Sequence, residues 1–405
     1  MKVKNLLSVA LGIIITASAM AQTDSTAKPV DKKHEEKKTN WYDKISIRGY
    51  SQIRYNRLLE TNPDLGCEQC DKSWGNNNGI FLRRGRLILF GQLNEHVYMY
   101  IQPDFASAAS TTSLHFFQLR DAYFDISVDK KKEFRFRIGQ SKIPYGFENL
   151  QSSQNRLSLD RNDAFNSALS NERDLAGIFY WAPEKIRKRF SSLVNDGLKG
   201  SGDYGVFALG VFNGQTANKP EVNNNLHIVS RLTYPMQFKN GQILEVGAQA
   251  YSGKVVVTSL TKGVKGGPEF DDQRLGGSLI LYPKPFGVQV EYTVGKGPEY
   301  DVASNSIMTK NLEGGYALIN YKLDLGKHTI FPFVKGQYYQ GGKKHELDAR
   351  RYVVHDYEFG IEWQPFKQME VVAMYTMSDR VYEDAVKTAN HQVGNLLRLQ
   401  VQINY

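Results

Sequence analysis

Beyond its first 21 residues, this chain has no apolar run long enough to cross a membrane as a helix. Hydrophobic residues make up 41% of it and mean hydropathy is −0.45, which excludes a helical membrane protein apart from a leader. Cysteine is almost missing, with two in 405 residues, so a disulfide scaffold is excluded. The pair, Cys67 and Cys70, forms Cys-x-x-Cys in a stretch rich in Asn and Gly. A zinc site would need further ligands nearby, and a thioredoxin-like motif would need a βαβ context. Neither is present, so an oxidised loop staple is the favoured reading in an exported chain. The eight histidines are scattered, no metal-spaced pair occurs, and there is no G-x-S-x-G elbow. His115 near Ser113 is the one tempting pair, and adjacency in sequence is poor support for a triad. We therefore expect no catalytic residue, no metal and no cofactor. The formal net charge of +9 could suggest nucleic acid, but an exported chain without a binding motif argues against it.

Export is read from the first residues. Lys2 and Lys4 form a basic n-region, Leu6–Ile15 an apolar h-region, and Ala19-Met20-Ala21 a small-x-small cleavage pattern. Met1–Ala21 is expected to be a cleaved signal peptide. Residues 22–40 mix both signs of charge around Lys32-Lys33-His34-Glu35-Glu36-Lys37-Lys38 and cannot bury a core, so they are expected to form a charged periplasmic arm.

What the chain has in plenty is alternation. In its last residues, Leu397, Leu399, Val401, Ile403 and Tyr405 fall on one face and Arg398, Gln400, Gln402 and Asn404 on the other. Period-2 alternation over about ten residues, ending on an aromatic, fits a tilted outer-membrane strand. The pattern recurs from Lys44–Leu58 onward, through Phe81–Leu93, Val97–Phe105, Gln118–Val128 and Phe134–Gly139, to Val393–Tyr405. About sixteen such segments predict a transmembrane antiparallel β-barrel over residues 41–405, with the last strand closing against the first. Long polar loops are expected at Leu59–Gly79, Ile143–Arg173, Asn213–Asn225, Gly253–Asp272, Gly295–Gly314, Gln340–Arg350 and Ser378–Gln392. Their length marks the extracellular side, and the short turns between them the periplasmic side, of a Gram-negative outer membrane. Pro183–Gly197 is an exception, where Pro183 and the spacing of Ile186, Phe190, Leu193 and Val194 suggest a short helix. Its Lys185, Arg187, Lys188 and Arg189 are read as a solvated face.

A barrel of this size encloses water, so the polar faces carry the chemistry. Arg48, Arg54, Arg84, Arg86, Arg135, Arg137, Lys142 and Arg398 are candidate lumen cations, several on strands that become neighbours once the barrel closes. Guanidinium groups stay charged and offer fixed donors to phosphate or carboxylate oxygens. Asp104, Asp121 and Asp125 are candidate lumen acids that would offset them, and Glu358 and Glu362 follow later. The expected function is a water-filled porin for small hydrophilic solutes that favours anions such as phosphate. A non-conducting structural or adhesive barrel, or an outer-membrane enzyme, are the alternatives.

Phe81-Leu82-Arg83-Arg84-Gly85-Arg86-Leu87 resembles the F-x-R-R-x-R-L strand of the phosphate-selective porin O and P family. Leu119-Arg120-Asp121-Ala122-Tyr123 and Gly139-Gln140-Ser141-Lys142-Ile143-Pro144-Tyr145-Gly146 are similar to that family's L-R-D-A-Y and G-Q-x-K-x-P-[FY]-G segments. Val211-Phe212-Asn213-Gly214 resembles its strand-end N-G. The resemblance implies a homotrimer of sixteen-stranded barrels in outer-membrane lipid, a third loop folded into the lumen, and passive uptake of anions. Residues 143–174 carry Arg156, Arg161 and Arg173 but also Glu148, Asp160, Asp163, Glu172 and Asp174, a departure from a purely basic constriction.

Overall fold

The structure, a computed structural model, describes residues 40–59, 65, 67, 79–106, 115–388 and 390–405. The expected signal peptide, the expected arm up to residue 39, and Cys70 lie outside the described residues. Cys67 is described, and its sulfur is in a disulfide.

The alternating segments form the strands they predict. These are β1 (Ile45–Leu58), β2 (Gly79–Gln92), β3 (Val97–Asp104), β4 (Gln118–Ser127), β5 (Phe134–Lys142) and β6 (Arg173–Trp181). There follow β7 (Phe207–Phe212), β8 (His227–Gln237), β9 (Ile243–Val255), β10 (Phe270–Leu281) and β11 (Phe286–Asp301). The last five are β12 (Ser306–Tyr321, resumed at Leu323–Leu325), β13 (His328–Gly342), β14 (Arg351–Phe366), β15 (Met369–Glu383) and β16 (Asn390–Asn404). Both pieces of β12 pair with β13, so they count as one strand.

Every strand pairs antiparallel with its sequence neighbours, and β1 pairs with β16 from Tyr50↔Asn404 to Leu58↔Leu396. No sheet edge is left among the described strands, as a bilayer requires. The seam continues to the final residue: Gly49 N–H donates to Tyr405 O at 2.6 Å and Tyr405 N–H to Gly49 O at 2.9 Å. A Cβ at Gly49 would lie 2.3 Å from the Tyr405 ring, so only glycine fits there.

The outer surface is apolar and exposed. Leu275, Leu279, Val290, Ile319, Val334, Phe359, Ile361 and Leu399 all stand outward. A water-soluble sandwich would bury such a band, so its proper solvent is lipid. Phe286, Tyr321, Trp363 and Tyr405 ring it at the end that carries the chain terminus, and Tyr292 and Tyr357 stand outward closer to the other end. We call these the turn rim and the loop rim.

Two expected loops are largely strand. β11 runs to Asp301 and β12 starts at Ser306, so 295–314 is a hairpin with a four-residue connection. β15 and β16 likewise take up most of 378–392. Polar composition signals exposure to water, and hairpins that rise beyond the lipid are polar on both faces. In the other direction, 204–206 precede β7 and belong to the connection before it. That connection, 182–206, is the one long turn at the turn rim among the described residues.

Candidate functional site: a constriction inside the barrel

The third long connection, residues 143–172, folds into the lumen. Its apolar residues explain why. Ile143, Tyr145, Phe165, Ala168 and Leu169 bury against Phe212, Tyr251 and Tyr339 of the inner wall. Tyr145 meets Tyr251 edge-on at 4.9 Å, and Gly276 leaves room for the Phe165 ring, 3.1 Å from where a Cβ would stand. Leu157 and Leu159 pack on Tyr316, Leu318, Phe331 and Phe333. Two short helices, α1 (Phe147–Leu150) and α2 (Asp163–Asn166), stiffen it, and the Asn162 side chain caps α2 by accepting from Phe165 N–H at 2.9 Å.

Charge fixes what packing starts. Each acid of this loop meets a cation. Glu148 pairs with Lys335 at 2.7 Å, Asp160 with Arg398 and Arg54, and Asp163 with Arg380 and Lys343. Glu172 pairs with Arg161 at 2.5 Å and Arg173 at 2.8 Å. Burial pushes these carboxyls up, but the cations beside them win and hold all four below the usual carboxylate range. Asp163, between Arg380 and Lys343, is held down to about 2.

The predicted lumen cations all face inward, yet they divide into two sets. Arg54, Arg84, Arg86 and Arg398 are buried beneath the loop, and Arg54, Arg86 and Arg398 bond directly to it. Arg86 donates to Tyr50 Oη at 2.7 Å and Ser153 Oγ at 3.2 Å while pairing with Asp104 at 2.8 Å. Arg54 donates to Leu159 O at 3.2 Å and to Gln400, and Arg84 donates to Gln52 at 2.8 Å. Alternation points these arginines inward, and the loop covers them. Asp104 is buried with them.

The second set borders open space. A cavity of about 190 Å³ is lined by Arg48, Arg137, Lys142 and Arg173 against Asp121 and Asp203, four cations to two carboxylates. Arg173 is matched by Asp121 at 2.9 Å and Arg137 by Asp125 at 2.7 and 2.8 Å. Lys142 donates to the carbonyls of Leu150 and Gln151, both at 2.8 Å. Arg48 is exposed, its guanidinium 5.4 Å from the Phe90 ring centroid, and no carboxylate among the described residues lies within ion-pair distance. Arg135 sits just behind the cavity, on Asp203 at 2.8 Å. Tyr100 and Tyr123, stacked at 5.2 Å, complete the wall, and Arg137 lies 3.9 Å over the Tyr123 ring.

The connection 182–206 bounds the cavity from the turn rim. Its helix α3 (Glu184–Asn195) has the predicted apolar stripe, and Ile186, Phe190 and Leu193 bury with Leu198 and Val206 against Phe147, Ile243, Ile280 and Tyr282. Lys185 and Lys188 face water, Lys188 beside Glu184 at 2.5 Å, whereas Arg187 turns to Asp203 at 2.9 Å. After the helix, Ser201, Gly202, Asp203 and Tyr204 reach the cavity.

Sequence reasoning missed Lys335, Arg380 and Asp203. Lys335 lies in the inward phase of β13 and could have been read from the polar face of that expected strand, and Arg380 lies in the inward phase of β15 and could have been found by extending the alternation. Asp203 had no signal, because it belongs to a turn expected to stay outside.

The model of the family described as phosphate-selective porin O and P matches residues 64–405. Among curated proteins nothing matches the sequence. Solved structures with the same fold include the outer-membrane channel DcaP of Acinetobacter baumannii, at 12% identity and TM-score 0.53, over 89% of this chain and 97% of that one. The trimer form of OmpT from Vibrio cholerae aligns at 9% identity and TM-score 0.52, over 89% and 99%. An anion-selective porin from Comamonas acidovorans aligns at 9% identity and TM-score 0.50, also over 89% and 99%. With sixteen closed strands, a lipid-facing exterior, a loop-constricted lumen and a family match over most of its length, this chain belongs to the phosphate-selective porin O and P family of outer-membrane channels.

Proposed function

We propose that the protein is a passive diffusion channel for small hydrophilic solutes that prefers anions, assembled as a homotrimer with its turn rim toward the periplasm. The observation that carries the preference is Arg48, a cation exposed at the narrow cavity without a carboxylate partner among the described residues. A fixed charge beside low-dielectric walls focuses its field into the path and raises the local concentration of counter-ions. Of the other cavity cations, Arg173 is spent on Asp121 and Arg137 on Asp125, and Arg135 behind them is spent on Asp203, so the surplus is modest. A general anion preference fits this balance better than strict phosphate selection, which would need several unspent donors converging on one oxyanion. The trimer rests on the family and on the trimeric form of the Vibrio cholerae relative.

The test is reconstitution in a planar bilayer under a salt gradient. Steady openings with a reversal potential on the anion side are expected, shrinking as ionic strength rises and screening shortens the reach of Arg48. A silent, correctly folded barrel would favour a structural or adhesive role instead.

A further inference from the structure

We infer that the connection 198–204 is a strut across the lumen, and that it sets the size limit of the channel jointly with the third loop. This rests on the channel reading above. The strut's two anchors are four residues apart in sequence. Lys199 pairs at 2.5 Å with Glu362 of β14, and its ammonium lies 4.8 Å over the Phe331 ring. Asp203 pairs at 2.8 Å with Arg135 of β5 and at 2.9 Å with Arg187 of α3. By the shorter route β14 and β5 are seven strands apart in a circle of sixteen, so they stand nearly opposite each other. Four residues span at most about 14 Å of extended chain, and two long side chains at each end complete the crossing. The segment therefore runs through the lumen and not around its edge.

The strut is fastened to the third loop as well. Gln151 Nε2 donates to Lys199 O at 2.6 Å, and Phe147 lies in the apolar cluster of α3. The Lys199–Glu362 anchor is buried and the Asp203 anchor half-buried, where burial pushes the Asp203 carboxyl up but Arg135 and Arg187 hold it below its ordinary range. Ion pairs removed from water break at a high cost when one partner is lost, so the crossing is rigid. Toward β7 to β13 the third loop and α3 pack against the inner wall through apolar clusters. The cavity that Ser201, Gly202, Asp203 and Tyr204 border lies against β1 and β3 to β6, so the open path is eccentric. Part of its lining belongs to the third loop and part to the strut.

The experiment compares full-length wild type, Lys199→Glu, and Lys199→Glu combined with Glu362→Lys in planar bilayers. Single-channel conductance and exclusion of neutral polymers of graded size are read. Lys199→Glu should repel Glu362, raise conductance about twofold and admit larger polymers, because pore cross-section governs both. The swapped pair should bring both readings back to wild type. A folded Lys199→Glu channel with unchanged conductance and polymer cutoff overturns the strut. Should the Lys199 variants fail to assemble, Asp203→Asn keeps the side-chain shape and releases the other anchor, with the same two outcomes. Silence of the wild type would strike the channel reading itself, whereas a conducting wild type with an insensitive variant strikes the strut alone.

Discussion

Arg48 and Arg86 carry the same sequence cue, an arginine in the inward phase of an early strand, and they end in different surroundings. Arg86 is 5% exposed and spends its donors on Asp104, Tyr50 and Ser153, while Arg48 faces the cavity. Alternation tells inside from outside because side chains flip every residue. It cannot tell a wet inward position from one covered by a loop that arrives from far along the chain. The two residues therefore separate in experiment. Arg48→Gln should leave folding intact and move the low-salt reversal potential toward cations, since a lumen substitution tunes selectivity. An unchanged reversal potential would remove Arg48 as the source of the preference. Arg86→Gln should instead loosen the third loop by removing the donor to Ser153 Oγ, and it leaves Asp104 without its partner at a cost of about 3–5 kcal/mol for a broken buried pair. Faster proteolytic nicking within 143–172 of the purified protein would report it, and unaltered protection would show the pair to be dispensable.

Among the elements, the third loop was only partly legible. Its inward course followed from family resemblance, and its acids read as a departure from a purely basic constriction. In the structure Glu148, Asp160, Asp163 and Glu172 are its anchors, each matched to a cation of the wall or of the loop itself, while Asp174, on β6, accepts from the backbone N–H groups of Gly214 and Thr216. The match depends on Lys335, inside an expected strand, and on Arg380, whose strand extends further than composition suggested. Because Glu148, Asp160, Asp163 and Glu172 have depressed pKa values, their stabilisation is present above the ordinary carboxylate pKa and disappears as pH falls through the folded value. For Asp163 the window runs from an unfolded value of about 3.9 to a folded value of about 2. Protease protection of the loop should therefore decline in that acid range while the circular-dichroism signal of the barrel persists. Constant protection down to the bottom of the window would mean that packing alone holds the loop. Phe165→Ala tests the packing share. Removing a buried phenyl should cost about 3–5 kcal/mol, felt at the loop because Phe165 belongs to it. Increased open-channel noise without loss of insertion is expected, and Phe165→Ala openings as quiet as those of wild type would count against it.

At the scale of the whole molecule the barrel was legible to the strand count, because lipid outside and water inside impose one repeating pattern on every spanning segment. The connection 182–206 was legible as a helix near Pro183 but not as an inward one, since its partners Phe147, Ile243 and Ile280 lie in three other elements. Closure depends on the last strand. Deleting Leu397–Tyr405 should abolish the heat-modifiable form on electrophoresis, because β1 and β15 would present unpaired backbone to lipid. A truncated chain that still inserts and resists protease would show that β16 is not the closing strand.

The Gly49–Tyr405 seam also orders events in time. Among the described strands β1 leaves the ribosome first and its partner β16 last, with the other fourteen made between them. Throughout export, then, one margin of the sheet waits without its hydrogen-bonding neighbour, and pairing across so large a sequence separation is slow. An open strand margin is a template for the wrong chain. The residue that completes the wall is thus also the one that ends the period in which the unfinished protein needs an escort.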